Sequence, residues 1–313
     1  MRVAAIDCGT NSVRLLIADI EGDELTDVER RMEIVRLGEG VDRTGRIAPE
    51  ALARTVNALH GYRRLIAKHT LDEEMPVRMV ATSATRDAAN RDVFTSAVRT
   101  ILGVEPEVIS GAEEANLSFL GATKRLPDRL ATPYLVVDIG GGSTEFIIGS
   151  ADGTGVAGAI SVDIGCVRLT ERHLRAAGDP PAPEAVQAVI DDIEAALDRV
   201  EAAAPVRTAR SLIGLAGSVT TVAGIALDLP AYDSERIHHS RIPAERVHEV
   251  SARLLAMTHD ERAAIPVMHP GRVDVIGAGA LILDRIVRRY GFPEVVASEH
   301  DILDGIAYSL YRP

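Results

Sequence analysis

At 313 residues the chain is too long for one ordinary domain and suits two. Hydrophobic residues at 46% and charged residues at 26% are those of a globular protein, which excludes disorder for most of the chain. Two cysteines, Cys8 and Cys166, exclude a disulfide framework and fit a reducing compartment, and a formal charge of −12 argues against a general electrostatic nucleic-acid binder. No targeting or membrane segment is expected. Asp7 interrupts the N-terminal apolar stretch, and the longest uncharged run, 211–227, is broken by glycines and hydroxyl residues. That run reads as a buried strand, turn and helix, and the protein as cytoplasmic.

In chain order, VAAID (3–7) is a buried strand ending in Asp, CGTNS a tight polar turn, and VRLLIADI (13–20) a second strand. After the turn EGDE a third strand covers about 25–37. Residues 49–69 open with Pro and place Leu52, Val56, Leu59, Tyr62 and Ile66 at helical spacing. A strand at 77–82, a helix at 88–102, a short strand at 106–109 and a helix at 110–126 complete the first half. The second half repeats the order. YLVVD (134–138) is a strand ending in Asp, IGGGS a glycine turn, TEFIIGS (144–150) a strand, and a third strand lies near 155–163. Helices follow at 166–177 and 184–203, then a strand at 211–216 and a helix at 218–228. Two helices near 243–257 and 272–290 read as an insertion, before a strand at 294–298 and a last helix at 301–311. Strand meanders followed by alternating helix and strand, twice over, predict an α/β fold with mixed sheets and a cleft between two halves.

The two matched turns carry the chemistry. IDCGTNSVRLLI (6–17) and VDIGGGSTEFII (137–148) share strand, Asp, glycine-containing turn, Ser or Thr, strand. Glycine lets backbone N–H groups curl toward an anion, hydroxyls add donors, and an Asp at the strand end can hold a cation or its waters. One such turn would read as an ordinary hairpin; two at equivalent places predict a phosphate clamp. GLAGSVTT (214–221) is a weaker candidate, equally explained by close helix–sheet contact. In ATSATRDAANRDVF (81–94), Arg86 is suited to phosphate, although alone it reads as a surface charge. Ser110 to Glu113 fits a capping box, which gives Glu113 a structural role. Glu114 is left as a candidate general base on water, against the plainer reading of a favourable charge near a helix N-terminus. The histidines match no zinc spacing, Cys8 reads as a small buried residue, and Arg272 could reach an anion or pair with Asp274.

These segments, with VRLGEGVDRTGRI (35–47), EVISGAEEANLSFLG (107–121) and ASEHDILDGIA (297–307), resemble the exopolyphosphatase/guanosine pentaphosphate phosphatase (Ppx/GppA) family of the actin-like superfamily, along essentially the whole chain. The resemblance implies two ribonuclease-H-like domains around a central cleft that holds the active site. Domain I is expected over 1–125 plus 301–313 and domain II, with a helical insertion, over 126–300. The family's catalytic glutamate, before the small residue of its EEA or EEG motif, falls on Glu114. Its cation-linked carboxylates fall on Asp138 and Glu145, with Asp7 as the matching carboxylate of the first turn. Phosphate contacts fall on Gly9, Thr10, Asn11, Ser12, Arg86, Gly140, Gly141, Gly142, Ser143 and Thr144. Longer members carry further C-terminal helical domains, so the short two-domain type is expected.

The implied reaction is hydrolysis of the terminal phosphate of inorganic polyphosphate, assisted by Mg²⁺ or another divalent cation. The 5′-phosphate of guanosine pentaphosphate is the alternative substrate, and a non-catalytic sensor of polyphosphate or nucleotide the alternative class. A superfamily kinase or ATPase is less favoured, because Glu114 reads as a water base. The charge of −12 favours short chains. No nucleic-acid or membrane partner is expected, and a homodimer is what the superfamily implies.

Overall fold

A computed structural model gives the fold and describes residues 1–70, 75–126, 130–153 and 155–311. The expected domain ranges also run through 71–74, 127–129, 154 and 312–313, which lie outside the described residues. The chain divides into two compact units, unit 1 of Met1–Lys124 with Asp301–Pro313 and unit 2 of Arg125–His300.

Unit 1 contains β1 (Arg2–Cys8), β2 (Ser12–Glu21), β3 (Glu24–Ile34), α1 (Val41–Thr44), α2 (Pro49–His69), β4 (Val77–Ala81), α3 (Ser83–Asp87), α4 (Arg91–Leu102), β5 (Glu107–Val108) and α5 (Gly111–Thr123). Among the described residues its sheet has the order β3-β2-β1-β4-β5. The β1–β2 and β2–β3 pairs are antiparallel, while β1–β4 and β4–β5 are parallel. Both faces of the sheet are covered, and the side-chain period of two in β1 shows it. Ala4, Ile6 and Cys8 meet Leu59, Tyr62, Phe94 and Val98 on one face. Val3 and Ala5 meet Leu117, Ile302, Leu303 and Ile306 on the other.

Unit 2 contains β6 (Tyr134–Ile139), β7 (Thr144–Gly149), β8 (Val156–Val162), α6 (Cys166–Leu169), α7 (Pro183–Ala203), β9 (Ser211–Leu215), α8 (Ala216–Ala226), α9 (Ser234–Ile237), β10 (Arg241–Pro243), α10 (Ala244–Ala256), α11 (His259–Ala263), α12 (Ile276–Tyr290) and β11 (Glu294–Ala297). Its sheet runs β10-β11-β9-β6-β7-β8. Set β10 aside, and the order and strand directions are those of unit 1. Thus the repeat read from the sequence is a repeat of topology. The two helices expected as an insertion, α10 and α12, lie within the unit's core, where Val247, Leu254, Ile276 and Ile282 meet residues of α7 and α8. The uncharged run 211–227 is β9 followed by α8, and among the described residues no helix is long and apolar enough to cross a membrane.

The last helix, α13 (Ile302–Leu310), belongs to unit 1 and lies on α5 and β1. The two helices touch backbone to backbone. A Cβ on Gly121 would fall 1.8 Å from the Asp301 carbonyl oxygen, and one on Gly305 2.0 Å from that of Leu117.

Several expected elements end differently, each for a local reason. The strand predicted to 37 stops at Ile34, because Val35 and Arg36 turn their N–H groups onto the Asn11 carbonyl. The helix predicted over 88–102 begins at Arg91; 88–90 are non-helical and follow the separate short helix α3. The helix predicted over 166–177 is α6 continued by a π-helical turn, Thr170–Leu174, in which Arg175 N–H bonds back to the Thr170 carbonyl.

Candidate active site

Loop one joins β1 to β2. The Gly9 N–H donates to the Ser12 carbonyl at 2.9 Å and closes the turn. From behind, Val35 and Arg36 N–H groups bond the Asn11 carbonyl at 3.0 and 2.8 Å, and Gly38 N–H bonds the Thr10 carbonyl at 2.9 Å. Gly38 must be small here, since a Cβ would come within 2.3 Å of Thr10 Cγ2. Beside the turn, Thr10 Oγ1 and Ser83 Oγ are 2.9 Å apart, which joins loop one to the start of α3. Asn11 Oδ1 is buried with no hydrogen-bond partner.

The antiparallel register sets Asp7 opposite Arg14. Arg14 donates from Nε and Nη2 to Asp7 Oδ2 at 3.0 and 2.7 Å, and from Nη1 to Asp301 Oδ2. Asp301 also caps α13 by accepting from the Leu303 N–H. Burial pushes the Asp7 carboxyl above its usual range against the pull of Arg14. Burial works against the Asp301 charge as well, but Arg14 and the Leu303 N–H hold it below that range. Asp7 Oδ1 is buried and unpartnered. The sequence reading missed Arg14. A Gly turn flanked by an Asp and an Arg one strand position beyond the closing pair was the available signal.

Glu114 and Arg86 meet. Arg86 Nη1 donates to Glu114 Oε2 and to the Ile109 carbonyl, both at 3.0 Å. Glu114 is buried in the first turn of α5, whose N-cap is Ser110. The capping reading needs a correction. Ser110 Oγ accepts the Glu113 N–H as expected, but the Glu113 carboxylate pairs with Arg78 at 2.8 Å.

Loop two, in unit 2, is built like loop one. Gly140 N–H donates to the Ser143 carbonyl at 3.1 Å. Its carbonyls are also taken from behind, here by the segment after β8. Cys166 N–H bonds Gly140 O, Val167 and Arg168 N–H groups bond Gly141 O, and Arg168 Nε bonds Gly142 O at 2.6 Å. Gly165 plays the part of Gly38, because a Cβ there would sit 2.4 Å from the Gly141 carbonyl carbon. The sequence reading had assigned nothing to Gly38 or Gly165. Gly9 and Gly140 close their turns with the N–H groups expected to face phosphate. The Thr144 hydroxyl donates to the Ile164 carbonyl at 2.6 Å. The N–H groups left for an anion therefore come from the middle of each turn, at Thr10 and Asn11 and at Gly141 and Gly142.

Asp138 and Glu145 are cross-strand partners on the β6–β7 hairpin, and both are buried. Glu145 Oε1 accepts the Ser161 hydroxyl at 2.7 Å. Two carboxylates on one face of a hairpin offer hard oxygens, which suit Mg²⁺ completed by waters and phosphate oxygens. Among the described residues no group of three or more His, Cys, Asp or Glu is placed to hold a metal ion alone. Asp7 belongs to unit 1.

At the junction of β9 and α8, Ala216, the first residue of the helix, lies in the left-handed region (φ 64°). The guanidinium of Arg272 lies on Gly217, where a Cβ would meet its Cζ at 1.9 Å, and Nη1 donates to the Gly217 carbonyl at 2.9 Å. This is where the structure puts the arginine that the sequence left between an anion and Asp274. Both cysteines are buried, which pushes their thiols up and leaves them poor nucleophiles.

Residues 16–312 match the Ppx/GppA phosphatase family. An exopolyphosphatase 2 of Mycobacterium tuberculosis is 49% identical, over 99% of this chain and 98% of that protein. Among solved structures, an exopolyphosphatase from Cytophaga hutchinsonii is similar with a TM-score of 0.89 at 27% identity, over 99% of this chain and 97% of that one. The Aquifex aeolicus family member gives 0.80 at 30% identity, again over 99% and 97%. The chain belongs to the Ppx/GppA phosphatase family.

Proposed function

We propose that the protein is an exopolyphosphatase that releases the terminal phosphate of inorganic polyphosphate by attack of water. The contact between buried Glu114 and Arg86 carries this reading, because it sets a carboxylate for water beside a guanidinium for phosphate. An arriving phosphate competes for Arg86 and leaves Glu114 to orient the water. The water oxygen bonds to the terminal phosphorus and its proton passes to Glu114. The bridging P–O bond breaks, and the chain, shorter by one phosphate, leaves as an oxyanion. Within unit 1, the mid-turn N–H groups of loop one hold the non-bridging oxygens. Positioning and charge stabilisation do most of the work in phosphoryl transfer.

Asp138 and Glu145 would hold a divalent cation, with Mg²⁺ the best fit to their chemistry. When bound, such an ion offsets charge on the phosphate oxygens. Guanosine pentaphosphate would use the same loops. With a net charge of −12, short chains are favoured over long ones.

The test is phosphate release from tripolyphosphate, long-chain polyphosphate, guanosine pentaphosphate and ATP, with Mg²⁺ and with a chelator. The expected ranking puts tripolyphosphate first, with release abolished by the chelator and by Asp138→Asn. Release from guanosine pentaphosphate alone would move the assignment to that substrate, and turnover undiminished by the chelator would remove the cation from the account.

A further inference from the structure

Unit 1 carries a groove, between the end of β3 and one face of α2, that the site above does not use. It encloses about 760 Å³, within the range of ligand pockets. Arg31 and Glu33 line it from β3, and Arg54, Arg64 and Lys68 from α2. Four cations against one carboxylate make it a basic strip on a chain whose net charge is −12. Arg31 is paired with Glu29 at 2.8 Å and Arg54 with Glu39 at 2.9 Å. Arg64 and Lys68 are exposed, and among the described residues neither forms an ion pair.

The strip adjoins the segment that braces loop one from behind. Arg54 Nε donates to the Val35 carbonyl at 2.8 Å, and the Val35 N–H donates to the Asn11 carbonyl of loop one. From Arg54 to Lys68 it extends about 21 Å along the helix, at 1.5 Å per residue. The aromatic residue in the lining, Tyr62, is buried and its hydroxyl is tied to the Val13 carbonyl. It therefore offers no face on which a base could stack, which disfavours a nucleic acid. Spaced cations without a stacking platform suit a linear chain of phosphates.

We infer that this groove is a second anion-binding site, which takes the inner phosphates of a long polyphosphate chain whose end lies at loop one. The inference rests on the polyphosphate reading above. It makes Arg64 and Lys68 determinants of chain-length preference, offsetting locally the repulsion between the acidic protein and a long polyanion.

The experiment compares wild type with the double variant Arg64→Gln, Lys68→Gln on tripolyphosphate, too short to extend from loop one to Arg64 and Lys68, and on chains of many tens of phosphates. The expected result is a KM for long chains raised roughly tenfold, with kcat and all tripolyphosphate kinetics unchanged. The salt dependence of the long-chain KM should also flatten, by about 1.4 in the log–log slope for two lost contacts. An unmoved long-chain KM overturns the inference, as does an equal change on both substrates. If wild type cleaves neither polyphosphate, the function proposed above fails on its own, and the groove is judged by binding of long-chain polyphosphate. Weaker binding by the double variant then supports it, and equal binding overturns it.

Discussion

Arg14 holds two buried carboxylates, Asp7 and Asp301, with one guanidinium. Replacing it with Met keeps the volume but leaves both carboxylates buried without their cation. Losing one partner of a buried ion pair costs about 3–5 kcal/mol, so Arg14→Met should lower the urea midpoint by several tenths of its wild-type value. Equal midpoints for the two proteins would show that the bridge does not contribute to folding. The sequence displayed the residues of this network but not their contacts. Asp7 stood out because it ends a strand before a glycine turn. Arg14 looked like any polar position on β2, and Asp301 lies 287 residues further on. Glu114 was legible because the Ser110 cap accounted for Glu113 and left its neighbour without a local role. Its ion pair with Arg86 needed the third dimension.

At the scale of elements, α5 and α13 meet through glycines, and this contact fixes the first turns that carry Glu114 and Asp301. Gly305→Ala would drive a methyl to 2.0 Å from a backbone oxygen, which cannot swing away as a side-chain tip could. Overpacking of this kind costs about 1–3 kcal/mol, and thermal unfolding of the variant should show it. A midpoint unchanged from wild type would mean that the helices separate freely.

A second prediction concerns the link between α7 and the π-helical turn. Asp192 accepts from His173 and Arg172. Burial opposes its charge, but the hydrogen bonds from His173 and Arg172 hold its carboxyl below the ordinary 3.8. The unfolded chain therefore takes up the proton first, so the contribution is present above about pH 4 and is lost as pH falls through the folded value. The pair is partly exposed, so its worth is below about 1 kcal/mol. Asp192→Asn should lower the urea midpoint slightly at neutral pH, with the gap closing in acid. A gap that persists in acid would contradict the sign. The long elements, α2 and α7 above all, were readable from their apolar stripes and their opening prolines. The π-helical turn and the end of β3 were not, because both are set by backbone bonds, Arg175 to Thr170 and Val35 to Asn11, rather than by side-chain pattern.

For the molecule as a whole, the repeat of strand order was visible in the sequence as two Asp–Gly turns at matching places. What the sequence concealed is that each turn is braced by a glycine from a segment after its third strand, Gly38 for the first and Gly165 for the second. No local pattern marks either residue, since its smallness is demanded by a backbone remote in sequence. These braces occupy the turn carbonyls and take no N–H group from the middle of either turn. The central claim is that Glu114, parked on Arg86, is the base for water. The most direct measurement is the rate of phosphate release by Glu114→Gln, with tripolyphosphate affinity measured on the same protein. The account predicts a kcat lowered by about 10²–10⁴ with affinity retained. A rate within a few-fold of wild type would contradict it.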